Sequence, residues 1–271
     1  MIEEEIDREN IFRIVTWNCR GRFSEKFEII KELDADVYII QECKNPKYEK
    51  PRKKKQKDYC DFVNKSDCWV GDTSSSGRGV GIFVNKNYTL CNNEWNEGVP
   101  GYYVSGKICR KNIEFNILGV WAKGGPNYEK GVYSYLKEQK INGKLTSDYI
   151  IAGDMNLDMI IGNEQLTCEI IEFLNKDMEL FSTYHEFPTP IVIHGKEKEK
   201  TYYDEEIIDL SVIKIDEKIL FPSFKISKPK SHVDYVFANK NRKLEKVYLG
   251  KPEIWLKHSD HLPLIVDLII E

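Results

Sequence analysis

The chain is written as short, nearly continuous apolar runs separated by polar punctuation, with only a few stretches of helical period. Ile11 to Trp17, "IFRIVTW", is dense in β-branched and aromatic residues, which suit a pleated surface, and predicts a strand. Phe27, Ile30 and Leu33 then recur at helical spacing, with Ser24 as the expected N-cap. Asp36 to Glu42, "DVYIIQE", predicts a second strand, covered on both faces. Strand, helix and strand in that order form the unit of a parallel sheet. "RGVGIFVN" (Arg78 to Asn85), "LCNNEW", "YYVSGKI" and "IEFNILGVWA" follow as a meander. Tyr128 to Lys140 places Val132, Tyr135 and Leu136 on one helical face, "DYIIAGDMN" is the next strand, and a helix from Asn163 aligns Leu166, Ile170 and Leu174. "PTPIVIHGKEKEKTYYDEE" holds a charged turn between two short strand candidates, and "IIDLSVIKIDEKILF" suits an extra hairpin or a short helix. "HVDYVFAN", "LEKVYLG" and "LPLIVDLII" close the chain as strands. With no short-period repeat and no long linker, one domain over 1–271 is expected.

Composition narrows this reading. In 271 residues, 41% hydrophobic and 12% aromatic content allows a sizeable core and excludes wholesale disorder. The net charge of −4 gives no global attraction to nucleic acid, so binding of that kind must rest on a local patch. Lys47 to Lys57, inside the basic stretch Lys44 to Asp58, follows the Glu42 strand directly; it either lines the mouth of a site or is a solvated charged loop. The seven cysteines are odd in number and show no CxxC spacing. The acidic N-terminus is unlike a signal peptide, and no apolar run reaches the length of a membrane span. The expectation is a cytoplasmic protein with reduced thiols and no membrane partner.

Chemistry gathers where apolar strands end. "TWNCRG" places Asn18 at a strand's C-terminal edge, "IIQECK" places Glu42, "AGDMNL" places Asp154 and Asn156, "SHVDYVF" holds Asp234, and "KHSDHLPL" holds Asp260 and His261. Because strand side chains alternate, Asp154 and Asn156 can share one side with Met155 on the other. Any one of these residues alone is an ordinary turn former. Asp234, set among apolar neighbours, needs a partner if buried, and an imidazole such as His261 supplies one. Carboxylates and carboxamides are hard oxygen ligands that suit Mg²⁺ or Mn²⁺ better than Zn²⁺. "SSSGRGVG" lacks the Lys of a phosphate-binding loop and runs into a strand, and no Ser sits in a nucleophile elbow. The chemistry left is metal-assisted attack of water on a phosphate ester.

"TWNCRG", "IIQECK", "RGVGIFV", "IIAGDMNL", "HVDYVFA" and "SDHLPLIV", in this order, resemble the endonuclease/exonuclease/phosphatase superfamily across about Ile11 to Leu268. "STYHEF" and "KTYYD" are similar to segments of its compact bacterial members. The resemblance implies an α/β fold, a four-layer α/β sandwich of two packed mixed β-sheets flanked by helices. By position, Glu42 looks like the principal metal carboxylate, Asn18 like a ligand of metal or phosphate, and Asp260 like an acid able to reach the metal. Asp154 resembles the residue that positions or deprotonates water, and Asn156 the carboxamide that holds a phosphoryl oxygen. Asp234 and His261 resemble the family's carboxylate–imidazole pair. Arg20 stands where some relatives carry an acid, which weakens a second-ligand role there and leaves phosphate contact. Trp121 stands where many nucleases carry Tyr, so no catalytic Tyr is assigned, and Lys123 follows as a candidate substrate contact. His185 either touches phosphate or packs at the rim. The implied activity is a metal-dependent nuclease on DNA or RNA, or a phosphatase or phosphodiesterase on a small ester such as an inositol phosphate or a nucleotide.

Overall fold

In the computed structural model, residues 8–49, 57–63, 68–74, 77–93, 102–123, 128–157, 164–186, 192–194, 200–201, 213–215, 218–220 and 232–270 are described. The first half runs β1 (Ile11–Asn18), α1 (Phe23–Lys31), β2 (Val37–Cys43), α2 (Lys57–Val63), β3 (Trp69–Gly71), β4 (Gly79–Val84), β5 (Thr89–Asn92), β6 (Tyr102–Arg110) and β7 (Ile113–Trp121). Then come α3 (Tyr128–Ile141), β8 (Tyr149–Asp154), α4 (Glu164–Glu172), β9 (Leu180–Ser182), α5 (Thr183–Glu186), β10 (Val192–His194) and β11 (Lys200–Thr201). The chain ends with β12 (Ile213–Ile215), β13 (Lys218–Leu220), β14 (Asp234–Asn239), β15 (Leu244–Gly250), α6 (Pro252–Trp255) and β16 (Leu264–Ile269).

Two mixed sheets carry the fold. One has the order β11-β10-β15-β16-β1-β2-β4-β3, the other β5-β6-β7-β8-β14-β9, and β12 with β13 forms a separate hairpin. The β1–β2 pair is parallel, as the strand–helix–strand pattern predicts, and so is β7–β8, joined through α3. Alternation sorts the side chains into layers. Phe12 and Ile14 of β1, Val37 and Ile39 of β2, Ile150 and Ala152 of β8, and Val236 of β14 fill the seam between the sheets. Val15 and Trp17, their β1 neighbours, face α1 and α6 together with Phe23, Phe27, Ile30 and Trp255. Ile151 and Phe237 face α3 and α4 with Val132, Leu136 and Ile170. The result is a four-layer α/β sandwich, and removing each of its fully buried Val, Ile, Leu and Phe side chains from water contributes about 1.5–3 kcal/mol.

Parity then decides where the polar strand ends go. Asn18 is in phase with Phe12 and Ile14, Asp154 with Ile150 and Ala152, and Asp234 with Val236. All three therefore enter the seam between the sheets at the end of the strands. Gly153 makes this approach possible: its φ is +151°, and a Cβ there would lie 1.9 Å from the Val120 carbonyl oxygen on β7.

Two local expectations need correction. Ser24 is not the cap of α1; the N-cap is Arg22, in the left-handed region at φ 56°, and the Ser24 hydroxyl donates instead to Glu49 Oε1 at 2.9 Å. Asn156 does not continue the strand. β8 ends at Asp154, and Asn156 has φ 50°, so a left-handed turn returns it to the Asp154 side. Met155 is fully buried against the α3 and α4 layer. The "IIDLSVIKIDEKILF" stretch contains the β12–β13 hairpin, whereas Lys50 to Gln56 of the basic loop lie outside the described residues.

Candidate active site

Asn18 is the hub. Its side-chain amide donates to Asp154 Oδ2 at 2.8 Å and to Glu42 Oε1 at 3.2 Å, while its Oδ1 accepts from the Arg20 backbone at 3.0 Å. One carboxamide thus fixes carboxylates contributed by both sheets. The end of β1 is itself anchored. Buried Trp17 donates from its indole to the His261 carbonyl at 3.0 Å, and the Ser259 hydroxyl donates to the Asn18 carbonyl at 2.6 Å and accepts from the His261 backbone at 3.2 Å. "TWN" and "SDH" are 244 residues apart at the Trp17–His261 contact, yet they build one corner.

Antiparallel pairing sets Asp234 directly opposite Asp154. Asp234 Oδ2 lies 2.9 Å from His261 Nδ1, and His261 Nε2 lies 4.0 Å from Asp154 Oδ2. With Nδ1–H held by Asp234, Nε2 faces Asp154. Asp154, Asp234 and His261 are 2%, 0% and 5% exposed, so their charges act in low dielectric. Burial lifts the Asp154 carboxyl to about 7, against the pull of His261 and with a further push from Asp234. Burial alone would lower His261, but the charge and hydrogen bond of Asp234, with Asp154 behind, raise it to about 9. The imidazole is therefore cationic at neutral pH, while Asp154 is poised near it, as suits a group that gives and takes a proton.

Asn156 turns its side-chain amide to the Ala122 carbonyl at 2.8 Å, and its backbone N–H donates to Asp154 Oδ1 at 3.2 Å. Tyr235, beside Asp234, donates to the Leu157 carbonyl at 2.9 Å and ties the Asn156 turn to β14. Lys123 follows Ala122 and lies 5.2 Å over the Trp121 ring. Glu42, in the left-handed region at φ 56°, also takes the Arg78 guanidinium. Asp260 is half-exposed, with Arg20 3.4 Å from it at the rim. His185 stands apart: its Nδ1 meets the Ser182 hydroxyl at 2.8 Å, and its ring packs near Tyr184, His232 and Tyr235. His232 lies stacked on Tyr184, and burial, with a contribution from His185, holds it well below the ordinary imidazole range.

The structure therefore brings Asn18, Glu42, Asp154, Asn156, Asp234 and His261 together, puts Arg20, Asp260 and Lys123 around them, and leaves His185 on the adjoining aromatic cluster. Sequence reading passed over Arg78 and Ser259. Both act through long-range contacts; the only local signal for Ser259 was its place beside Asp260 and His261.

The donor set fits a divalent cation. Carboxylate oxygens are the fitting ligands: Glu42 already attracts a cation, the Arg78 guanidinium, and Asp154 is held to it through Asn18, whereas a cationic His261 has no lone pair to give to a metal. None of the seven cysteines is in a disulfide, and among the described residues no helix is long and apolar enough to cross a membrane.

The profile of the endonuclease/exonuclease/phosphatase family matches residues 15–261. No curated protein matches the sequence significantly. Solved structures share the fold at low identity. The endonuclease domain of TRAS1, a telomere-specific non-LTR retrotransposon, is 14% identical with a TM-score of 0.59, covering 96% of this chain and 99% of that one. The mannosyl-6-phosphatase Bt3783 of Bacteroides thetaiotaomicron is 16% identical with a TM-score of 0.60, covering 96% and 100%. TDP2 of D. rerio, complexed with a single-strand DNA product, is 13% identical with a TM-score of 0.56, covering 95% and 98%.

Proposed function

The chain belongs to the endonuclease/exonuclease/phosphatase family, a family of phosphoester hydrolases, and we propose that it is a Mg²⁺- or Mn²⁺-dependent phosphodiesterase acting on DNA or RNA. The observation that carries this reading is the Asn18 hub, which joins Glu42 of one sheet to Asp154 of the other, where His261, from the turn before β16, meets Asp234. Glu42 would hold the metal, with Asn18 orienting its carboxylate and Asp260, on the rim beside Arg20, as a further oxygen ligand; the metal would supply neutralisation of phosphate charge. Asp154 takes a proton from the attacking water as its oxygen bonds to phosphorus. The P–O ester bond on the opposite side breaks, and the leaving oxygen is protonated from solvent. His261, kept cationic by Asp234, stabilises the charge growing on the phosphoryl oxygens, and Asn156 orients the phosphate from the turn after β8. Arg20, paired with Asp260, and Lys123, next to Ala122, would contact neighbouring phosphates.

Nucleic acid is favoured by the surroundings of Glu42. An open cleft of about 730 Å³ adjoins it, with Arg20, Arg22, Lys44 and Arg78 on its walls and Tyr48, 75% exposed, at its edge. Cations that track a backbone beside an exposed ring suit single-stranded nucleic acid. Glu25, Glu49 and Asp72 line the same cleft and temper its charge, which favours the second reading, a small phosphate ester. Seven cysteines without a disulfide suit a reducing compartment such as the cytoplasm. A substrate panel with Mg²⁺ or Mn²⁺ tests the proposal: single- and double-stranded DNA, RNA, inositol phosphates and nucleotides. The expected result is cleavage of a polynucleotide; turnover of small esters alone would reject nuclease action.

A further inference from the structure

Arg78 has a contact that the chemistry above does not use. It lies between Gly77 and Gly79, where the chain passes close to the β3 side of the hairpin. A Cβ on Gly77 would lie 1.9 Å from the Asp72 carbonyl oxygen, and one on Gly79 would lie 2.1 Å from that of Val70. The two glycines therefore hold the backbone at Arg78 tightly against its neighbour, and the long side chain is what remains free to move. That side chain reaches Glu42, and its guanidinium also lies on Gly21, where a Cβ would meet the guanidinium carbon at 3.2 Å. Glu42 has Asn18 on Oε1 and Arg78 on Oε2. Asn18 is neutral and is shared with Asp154, so Arg78 is the positive partner of Glu42 in these contacts. The Arg78 side chain is 43% exposed and borders the 730 Å³ cleft, which gives a displaced guanidinium somewhere to go.

Resting on the assignment of Glu42 to the metal, we propose that Arg78 competes with the divalent cation for the Glu42 carboxylate and leaves it for the cleft when the cation binds. Two cations on one carboxylate repel each other and divide its charge, so each weakens the other's hold. Arg78 thereby sets how readily this protein takes up metal. It is a positioning residue, since it acts through Glu42.

The test is calorimetric titration of the full chain with Mn²⁺. Arg78→Ala is expected to bind Mn²⁺ about two- to fivefold more tightly, the range set by loss of a partly exposed ion pair. Arg78→Lys, which keeps the charge but loses the fork, is expected to fall between the two. Arg22→Ala controls for net charge, because Arg22 lines the same cleft and pairs with Glu25 rather than Glu42. In a Glu42→Gln background, Arg78→Ala should add only the small effect seen for Arg22→Ala. Circular dichroism of each variant confirms that it is folded. Unchanged or weaker Mn²⁺ binding in Arg78→Ala, or a gain no larger than that of Arg22→Ala, overturns the proposal. If Glu42→Gln alone leaves Mn²⁺ affinity at the wild-type value, the metal assignment of Glu42 fails first, a result separate from any effect of Arg78.

Discussion

The two ends of β1 both bury carboxylates, and they treat them in opposite ways. At the start of the strand, Asp267 accepts both arms of Arg13, at 2.7 and 2.8 Å. Asp36 accepts from Arg8 at 2.9 Å, from the Arg13 backbone at 2.8 Å and from Asn85 at 2.9 Å. Each buried acid there meets a guanidinium within the fold, and Arg13 is raised even against its own burial because Asp267 outweighs it. At the other end, Asp154 and Asp234 oppose each other across neighbouring strands with His261 as the cation between them. The first arrangement stabilises a fold. The second leaves negative charge in excess, which disfavours the fold by itself and suits a site that receives a cation and a phosphate. Burial of a carboxylate is thus uninformative until its charge partners are counted.

The sharpest way to break this contrast is to remove one acid from each end. Asp267→Asn leaves Arg13 buried without its anion and is expected to lower stability by about 3 kcal/mol, read by urea unfolding in chelator, with kcat of the folded protein unchanged. A loss of activity without a loss of stability would place Asp267 in the wrong class.

Asp154→Asn is expected to do the reverse. The folded-state carboxyl at about 7 stands above the unfolded value near 3.9, so the charged form is the one the fold disfavours. Wild-type stability from this group therefore falls as pH rises from about 4 through 7. His261 acts in the same direction: its contribution is fully present below about 6.5 and is lost as pH rises through 9. In chelator at pH 8, Asp154→Asn should be more stable than wild type by about 1–3 kcal/mol, and the gain should vanish near pH 4. Equal unfolding midpoints at pH 8 would show that Asp154 carries no such strain.

Much of this was legible in the chain, for a physical reason. β1, β2, β8 and β14 are apolar on both faces because the sheets are covered by helices on one side and by each other on the other. A polar residue ending such a run stands out. Three features resisted reading, two of them because their partners are far away in sequence. Ser24 has the chemistry of a cap, but Glu49 takes its hydroxyl. Arg78 reads as the lead-in to a core strand, and only the pairing of β2 with β4 brings it to Glu42. Asn156 reads as the next outward step of a strand, yet it arrives by a left-handed turn, which alternation does not foresee.

The central claim is that Asp154, held between His261 and Asn18, works on a phosphate ester with a divalent cation. The direct measurement is hydrolysis of bis(p-nitrophenyl) phosphate with saturating Mg²⁺ or Mn²⁺, comparing wild type with Asp154→Asn and with wild type in excess chelator. The account predicts metal-dependent turnover that falls by about 10³-fold in Asp154→Asn, within the range expected for loss of a proton-transferring group. Turnover by Asp154→Asn within a few-fold of wild type, or undiminished turnover in chelator, would contradict it.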